Sequence, residues 1–187
     1  MIIVCSLADQ KSICRSVNAS HLISVVDPGY QPETPHNIQN HLKLGFDDII
    51  EIKDENPIYR VPGVSSKQIL PNQNHINDIV DFVNTWDKSN PIVIHCWCGV
   101  SRSMATAIFI ICKINPENVD NNVRYMRSIA PHANPNKLMV SIFESYLKID
   151  GQIIEAFNKY PHTITYDCAT TFAPVTIFNI EDLKEFR

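Results

Sequence analysis

The sequence predicts an α/β fold in which a mainly parallel central sheet is flanked by helices on both faces. Strand-like and helix-like segments alternate along the chain, as they do in parallel sheets. Several strand-like segments are short continuous apolar runs, which is typical of strands buried on both sides. The 187 residues, 44% of them hydrophobic, are enough to bury a sizeable core. We therefore predict a main domain over residues 1–150 and a C-terminal extension over residues 151–187.

The first half of the chain predicts three strands and two helices. Residues 1–5 predict a strand, 7–17 a helix, and 21–26 a second strand that ends at the Asp27-Pro28-Gly29 turn. Residues 41–46 predict the third strand. The stretch 49–72 contains prolines and no sustained periodicity, which predicts a long irregular loop near the site that could serve as a lid. Apolar residues at helical spacing then predict a helix from Ile76 to Trp86.

The second half predicts one more central strand and mainly helices. The apolar residues before His95 predict a buried strand, and residues 104–114, apolar almost all round, predict a buried helix. Helical spacing recurs from Val119 to Met126 and over 138–147. Beyond Gly151 a short helix pattern, an irregular stretch and a strand-like 175–178 follow without a motif. We expect a packed extension, with cover for a sheet edge or contact with a partner as alternatives.

The run His95-Cys96-Trp97-Cys98-Gly99-Val100-Ser101-Arg102-Ser103 joins the buried strand to the buried helix. The backbone N–H groups of such a loop, closing into the first turn of a helix, form a cradle for a phosphate-sized anion. Gly99 tolerates the backbone angles of a tight loop, and Arg102 offers a planar fork that matches two phosphate oxygens. We therefore predict a phosphate-binding loop formed by residues 97–102.

Cys96 lies at the mouth of this loop, six residues before Arg102. An ordinary thiol is mostly protonated at neutral pH, whereas a nucleophile must be largely thiolate. The positive helix terminus and the Arg102 guanidinium both stabilise a thiolate. The loop amides and Arg102 would then stabilise the phosphoryl oxygens during in-line attack. These features predict a metal-independent, two-step phosphatase with Cys96 as the nucleophile.

The same residues resemble the active-site loop of the cysteine-dependent protein tyrosine phosphatases, most closely the compact dual-specificity branch. The strand-like 41–48 and Pro135-Asn136 before the last predicted helix of the main domain also resemble that family, over about residues 1 to 148. The resemblance implies that Ser103 eases departure of the Cys96 thiolate and that His95 orders the loop. It also implies a role for Cys96 as nucleophile and for Arg102 as phosphate clamp.

The mechanism requires a carboxylic acid that protonates the leaving group and later activates water. We predict Asp48, because Leu42, Leu44 and Phe46 alternate with polar or small residues and Asp48 continues the buried parity while Asp47 points away. The family pattern also favours Asp48. Asp47 and Asp54 are the alternatives, as is a plain solvated turn.

Composition excludes several other classes of function. The net charge of −4 argues against a nucleic-acid-binding surface, and no apolar run reaches the length of a membrane span. With no basic segment before the short apolar start, we expect a cytoplasmic protein whose six cysteines are reduced. We expect no cofactor.

The other cysteines allow roles outside a phosphate-binding loop. Cys98 is expected to be a small loop residue, since a disulfide to Cys96 would close a strained ring. An oxidised Cys96 could be captured by a distant thiol, namely Cys5, Cys14, Cys112 or Cys168, although plain buried thiols are expected. A zinc site on His95, Cys96 and Cys98, completed by His132 or His162, is disfavoured because no second ligand pair follows.

The loop also bears on the substrate. Because no lysine lies between Cys96 and Arg102, phosphoproteins are favoured over highly phosphorylated inositol rings. The sequence does not decide between a phosphatase specific for phosphotyrosine and one with dual specificity. Two alternatives from other classes are a non-catalytic phosphoprotein-binding module and another cysteine enzyme, such as a sulfurtransferase or arsenate reductase.

Overall fold

The sheet has five strands in the order β3-β2-β4-β1-β5. The structure, a computed structural model, describes residues 1–53 and 67–186. The strands are β1 Ile2–Cys5, β2 His21–Val26, β3 Asn40–Gly45, β4 Ile92–His95 and β5 Thr176–Phe178. The first four are mutually parallel where they pair, and β5 is antiparallel to β1. The register places Cys5 and Ser24 beside His95 at the carboxyl edge of the sheet.

Seven helices are described, and they cover both faces of this sheet. They are α1 Gln10–Ser16, α2 Gln73–Asn84, α3 Arg102–Ile114, α4 Val119–Ile129, α5 Lys137–Leu147, α6 Gln152–Lys159 and α7 Ile180–Glu185. Alternate residues of β1 separate the two layers, since Ile2 and Val4 lie in the large core that includes α2 to α6, whereas Ile3 and Cys5 lie in a smaller core with Cys14 of α1. The predicted α/β fold with helices on both faces is confirmed.

The helix that follows β4 lies at the centre of the large core. Eleven of the thirteen residues of α3 are buried, and the helix packs against the sheet, α4 and α5. Phe109 of α3 stacks on Phe143 of α5, with ring centroids 4.3 Å apart. Because the helix is held on all sides, its first turn is a rigid support for the loop that precedes it.

Several predicted boundaries differ from the observed ones because side chains make local turns. α1 begins at Gln10 rather than at residue 7, since Ser6 donates to the Asp9 carboxylate in the turn before it. α2 begins at Gln73, where the Asn72 side chain caps the helix, and it ends before Trp86. The indole of Trp86 instead donates to the carbonyl of Asn90. Most of the predicted irregular loop, residues 54–66, lies outside the described residues.

The C-terminal residues pack on the domain. β5 pairs with the outer edge of β1, and Phe178 and Leu183 enter the large core. The Tyr125 hydroxyl of α4 donates to the carbonyl of Asn179. The extension is therefore packed on the domain, and it also covers a sheet edge, which protects unpaired backbone groups. α7 was not predicted.

Within residues 1–53 and 67–186, no helix has both the length and the apolar character needed to cross a membrane.

Candidate active site

The segment 96–101 connects β4 to α3 at the carboxyl edge of the parallel strands, where ligands bind in open α/β sheets. Three of its carbonyls are hydrogen-bonded to other parts of the chain. Trp97 accepts from the amide of Leu7 at 3.2 Å, and Val100 accepts from that of Asn134 at 3.0 Å. Cys98 accepts from the amide of Ala173 at 3.1 Å. With its carbonyls held outwards, the loop has a fixed path around Cys96.

Cys96 is buried at the base of this loop. Its sulfur lies 3.1 Å from the Ser103 hydroxyl, in the first turn of α3, and 3.3 Å from the amide nitrogen of Gly99, which donates to it. Both groups can donate to a thiolate, and the helix terminus adds positive potential at the same point. The family resemblance implies that Ser103 assists Cys96, and the structure brings the two side chains into contact.

Gly99 has a backbone conformation that other residues rarely adopt. Its φ is +81°, and a Cβ atom there would lie 3.2 Å from the carbonyl carbon and oxygen of Cys5. The loop therefore needs glycine for two separate reasons, the positive φ and the close approach to β1.

Arg102 is almost wholly buried, and its side chain reaches the residues that follow β2 and β3. Its Nη1 donates to a carboxylate oxygen of Asp27 at 2.7 Å and to the carbonyl of Phe46 at 2.6 Å. Its Nε has no hydrogen-bond partner among the described residues, with the nearest Asp48 oxygen at 3.8 Å. Burial lowers the pKa of Arg102, but the charges of Asp48, Cys96 and Asp27 outweigh it and raise the pKa above its ordinary value. Nη1 is thus fixed by two hydrogen bonds, whereas Nε keeps an N–H group that could donate to an anion.

Asp27 was missed by the sequence analysis, which treated it only as part of a turn. It follows β2, the strand next to β4, and therefore lies at the same edge of the sheet as Cys96. An acidic residue directly after a central parallel strand is the signal that could have identified it.

His95 is buried in a row of hydrogen-bonded side chains that crosses three strands. Its Nδ1 lies 3.2 Å from the carbonyl of Cys96, and its Nε2 lies 2.6 Å from the Ser24 hydroxyl. The same hydroxyl lies 2.7 Å from Nε2 of His41, whose Nδ1 meets Thr34 at 2.9 Å. Burial lowers the pKa of His95 to about 4, and burial with Lys43 and His95 nearby lowers that of His41 to about 4. Neutral His95 thus donates to the carbonyl of the nucleophile's own residue and orders the start of the loop.

Asp48 lies against the phosphate-binding loop. One carboxylate oxygen accepts from the Ser101 hydroxyl at 2.7 Å and from the Asn136 side-chain amide at 2.8 Å. Asn136 also donates to the carbonyl of Ile49, and its oxygen caps α5 by accepting from Met139. Asn136 therefore fixes the position of Asp48 relative to α5.

Asp48 does lie at the loop, but the alternation of strand side chains that predicts it there does not reach it. β3 ends at Gly45, so the alternation does not extend to residue 48. Asp47, expected to point away, is buried and accepts from the amide of Ile69 at 2.6 Å. The side chain of Asp48 is 35% exposed. The third candidate acid, Asp54, lies outside the described residues.

A cleft of about 490 Å³ opens beside Asp48 and Ser101. Its wall includes Ile50, Asn136 and Lys137. Trp97 lies half-buried at another side of the loop, with its ring edge-on to Tyr30 at 5.3 Å. The described site therefore combines the loop around Cys96 with a wider surface on the side of Asp48.

The expectation that Cys98 is a plain reduced loop residue is wrong in this structure. Cys98 is joined by a disulfide to Cys168 in the C-terminal extension, with the two Cα atoms 5.6 Å apart. The expectation of six reduced cysteines fails with it, because only Cys5, Cys14, Cys96 and Cys112 are free. The sequence could not reveal the pairing, because the irregular stretch before β5 gave no indication that it returns to the loop.

The histidines suggested for a zinc site lie elsewhere. His132 contacts the ring of Tyr166 edge-on, and His162 lines a separate cavity beside Arg127. Among the residues that the structure describes, no three His, Cys, Asp or Glu side chains are grouped as metal ligands.

Comparisons with known proteins match the region that carries this site. Residues 30–148 match the family profile described as dual specificity phosphatase, catalytic domain. A curated protein of Acanthamoeba polyphaga mimivirus, named as a tyrosine-protein phosphatase, is 29% identical over 84 residues. That alignment spans 41% of this chain and only 40% of the mimivirus protein.

Solved structures share the fold at low sequence identity. DUSP15 has a TM-score of 0.55 at 16% identity, covering 87% of this chain and 94% of its own. The human tyrosine phosphatase-like serine/threonine/tyrosine-interacting protein has 0.56 at 15%, covering 79% and 91%. The Yvh1 phosphatase domain from Chaetomium thermophilum has 0.54 at 18%, covering 79% and 90%. At these identities the likeness concerns the fold.

Proposed function

The chain belongs to the dual specificity phosphatase family, and on that premise we propose that it is a protein phosphatase acting through a cysteinyl-phosphate intermediate. The observation that carries the proposal is the convergence of three side chains on one loop. The Cys96 sulfur contacts the first turn of α3, and Asp48 is hydrogen-bonded to Ser101 of the loop. The Nε of Arg102 lies 3.8 Å from Asp48 and has no hydrogen bond among the described residues. A nucleophile, an anion clamp and an acid are the groups that this chemistry requires.

In the first step the Cys96 thiolate attacks phosphorus in line with the ester oxygen. A bond forms between sulfur and phosphorus, and the bond to the ester oxygen breaks. Asp48, in its protonated form, gives its proton to the departing oxygen. Arg102 and the loop amides stabilise the charge on the three equatorial oxygens. The product is an alcohol or phenol and a phosphorylated Cys96.

In the second step water hydrolyses the cysteinyl phosphate. The Asp48 carboxylate takes a proton from the attacking water, which regenerates the acid form for the next turnover. The bond between sulfur and phosphorus breaks, and the thiolate is received by the Ser103 hydroxyl, 3.1 Å away, and by the Gly99 amide. Inorganic phosphate then leaves. No metal takes part in either step.

We propose phosphoproteins as the substrate class, carrying phosphotyrosine or phosphoserine and phosphothreonine. The loop between Cys96 and Arg102 contains no lysine, which argues against a polyphosphorylated ring. The cleft beside Asp48 is open and has the isoleucine side chain of Ile50 and the cation Lys137 in its wall, a surface suited to peptide flanking the phosphorylated residue. A cytoplasmic location stays a prediction from the sequence.

The test is hydrolysis of an aryl phosphate by the purified protein with a chelator present, beside Cys96→Ser and Cys112→Ser. Cys112 is also a buried free cysteine, but it lies in the interior of α3 against Asn122. We expect metal-independent turnover in the wild type and Cys112→Ser, and at least a ~10³-fold loss in Cys96→Ser. Turnover that survives in Cys96→Ser would reject the mechanism. Absence of turnover in the wild type, with tungstate still bound, would favour the binding-module alternative.

A further inference from the structure

A segment of the C-terminal extension, residues 161–175, passes beside the phosphate-binding loop on its way from α6 to β5. We call it the strap. Most of its side chains are exposed, Tyr166, Cys168 and Val175 are half-buried, and only Ala173 is buried. Its non-covalent contacts with the domain are few and lie mostly at its two ends. The amide of Thr163 donates to Pro131, the ring of Tyr166 meets His132, the amide of Ala173 donates to Cys98, and Val175 packs against the smaller core. So little buried surface would not hold a segment of this length firmly in place.

The covalent contact of the strap is the disulfide between Cys168 and Cys98. The 5.6 Å between the two Cα atoms is well within the range of protein disulfides. Cys98 is buried in the phosphate-binding loop, whereas Cys168 is half-buried in a turn of the strap. A reductant can therefore reach the bond from the Cys168 side.

Cys98 is directly coupled to the group that does the chemistry. It lies two residues after Cys96 and directly before Gly99, whose amide donates to the Cys96 sulfur. The Cys98 carbonyl is itself held by Ala173 of the strap. A change in the covalent state of Cys98 thus reaches the loop backbone through both its side chain and its carbonyl.

We propose that the Cys98–Cys168 disulfide is a reversible redox latch that holds the phosphate-binding loop in its anion-binding form, and that its reduction weakens binding of oxyanions. The latch concerns regulation of the site and rests on the proposed function for its physiological meaning. The disulfide is a modification site distinct from the nucleophile, since Cys96 is free while Cys98 is paired.

The redox step needs a dithiol reductant. One thiolate of the reductant attacks the Cys168 sulfur, the bond between the two protein sulfurs breaks, and Cys98 leaves as a thiolate that takes up a proton. The second thiol of the reductant then releases Cys168 as a thiol. Two electrons and two protons pass to the protein, and the dithiol becomes a disulfide. A disulfide oxidant of the glutathione class reverses the step.

Apart from Cys96, the remaining buried thiols, which are Cys5, Cys14 and Cys112, are poorly suited to compete for this exchange. Burial raises the pKa of Cys14 to about 11 and that of Cys112 to about 12, and it raises the pKa of Cys5 strongly in the same direction. Thiols held in the protonated form are weak nucleophiles toward disulfides. We therefore expect oxidation and reduction to act on the Cys98–Cys168 pair without scrambling to these residues.

The test is the affinity for tungstate, a redox-stable oxyanion, measured by calorimetry on oxidised protein and on protein reduced with dithiothreitol and then desalted without oxygen. Peptide mass spectrometry on the oxidised sample must find Cys98 linked to Cys168. We expect reduction to raise the Kd about tenfold in the wild type. Cys168→Ser should show the weaker affinity under both conditions, and Cys14→Ser should respond as the wild type does.

Unchanged or tighter binding by the reduced wild type would overturn the latch, as would absence of the linked peptide or a redox response that persists in Cys168→Ser. Simple oxidation of Cys96 would give the opposite sign, since reduction would then restore binding. Because the readout is tungstate binding, the latch is tested even in a protein that does not turn over. A rate of hydrolysis that does not depend on the redox state of Cys98 would overturn the latch but would not affect the proposed phosphatase mechanism.

Discussion

Asp47 and Asp48 are neighbours in the chain but lie in different surroundings. Asp47 is buried and holds the amide of Ile69, whereas Asp48 is partly exposed and bound to Ser101 and Asn136. The first arrangement stabilises the chain, and the second places a carboxyl group at the loop. The two residues can therefore be separated by experiment.

Replacement of Asp48 tests its assignment as the acid. We expect Asp48→Asn, which can keep the contact with Ser101, to lower kcat/KM about 10² to 10³-fold for esters with poor leaving groups. For an aryl phosphate with a good leaving group the loss in kcat/KM should be under about tenfold, because that oxygen needs little protonation. The measurement is kcat/KM across a series of phosphate esters, because kcat also contains the hydrolysis of the intermediate, which is the same for every ester. Asp47→Asn is the control, and a uniform loss in Asp48→Asn would exclude the acid role.

Asp27 should act as a positioning residue for Arg102. Its carboxylate fixes Nη1 at 2.7 Å, which leaves the Nε edge for phosphate. We expect Asp27→Asn to raise KM and the tungstate Kd about three- to tenfold with a smaller change in kcat, since the neutral amide holds the guanidinium less firmly. Asp87→Asn is the matched control, because Asp87 lies in an exposed turn and binds Ser89. A loss confined to kcat would contradict the positioning role.

At the scale of elements, β4, the loop and α3 act as one unit whose path depends on Gly99. Gly99 and Gly151 both have positive φ, at +81° and +76°, but only Gly99 would bring a Cβ atom against Cys5. We expect Gly151→Ala to cost about 1 to 2 kcal/mol in unfolding free energy from backbone strain alone. Gly99→Ala should cost about 1 kcal/mol more and weaken tungstate binding more than tenfold. Denaturant titration and calorimetry measure the two effects, and equal behaviour of the two variants would refute the close-approach argument.

The row formed by His95, Ser24 and His41 joins three strands and should make stability depend on pH. Both histidines have a pKa of about 4 in the folded protein, below the ordinary value of 6.5. The unfolded chain thus binds protons first, so the stabilisation is complete above pH 6.5 and is lost as the pH falls towards 4.

Thermal unfolding between pH 7 and 4.5 measures this loss. We expect the Tm of the wild type to fall steadily as the pH is lowered, and the Tm of His41→Gln to fall less. At pH 5 the variant should have lost about 1 kcal/mol less of its unfolding free energy than the wild type. His36→Gln is the control, since His36 is exposed and lies outside the row. The same pH dependence in His41→Gln and the wild type would contradict the buried neutral state of His41.

Features that depend on neighbouring residues could be predicted from the sequence, whereas features that depend on contacts between distant residues could not. The strand before His95 and the helix after Arg102 were predicted because a continuous apolar run determines burial locally. The roles of Asp27 and the pairing of Cys98 were missed, because each depends on a contact made by residues 70 or more positions apart. The parity of Asp48 failed because β3 ends three residues earlier, which the alternation of side chains did not reveal.

For the whole molecule, the C-terminal residues complete both the sheet and the core. Phe178 is 1% exposed and faces Tyr125, whereas its neighbour Ile177 is 44% exposed. We expect Phe178→Ala to lower the free energy of unfolding by about 3 to 4 kcal/mol and Ile177→Ala by less than about 1 kcal/mol. Urea titration measures both. Similar small losses would mean that the extension contributes little to the stability of the domain.

The central claim, covalent catalysis by Cys96, is tested most directly by rapid acid quench during turnover of an aryl phosphate, followed by peptide mass spectrometry. The account predicts a phosphoryl group on the peptide that carries Cys96, at a level that grows when Asp48→Asn slows hydrolysis of the intermediate more than its formation. Turnover without any phosphorylated Cys96 in either protein, or a phosphoryl group on another residue, would contradict it.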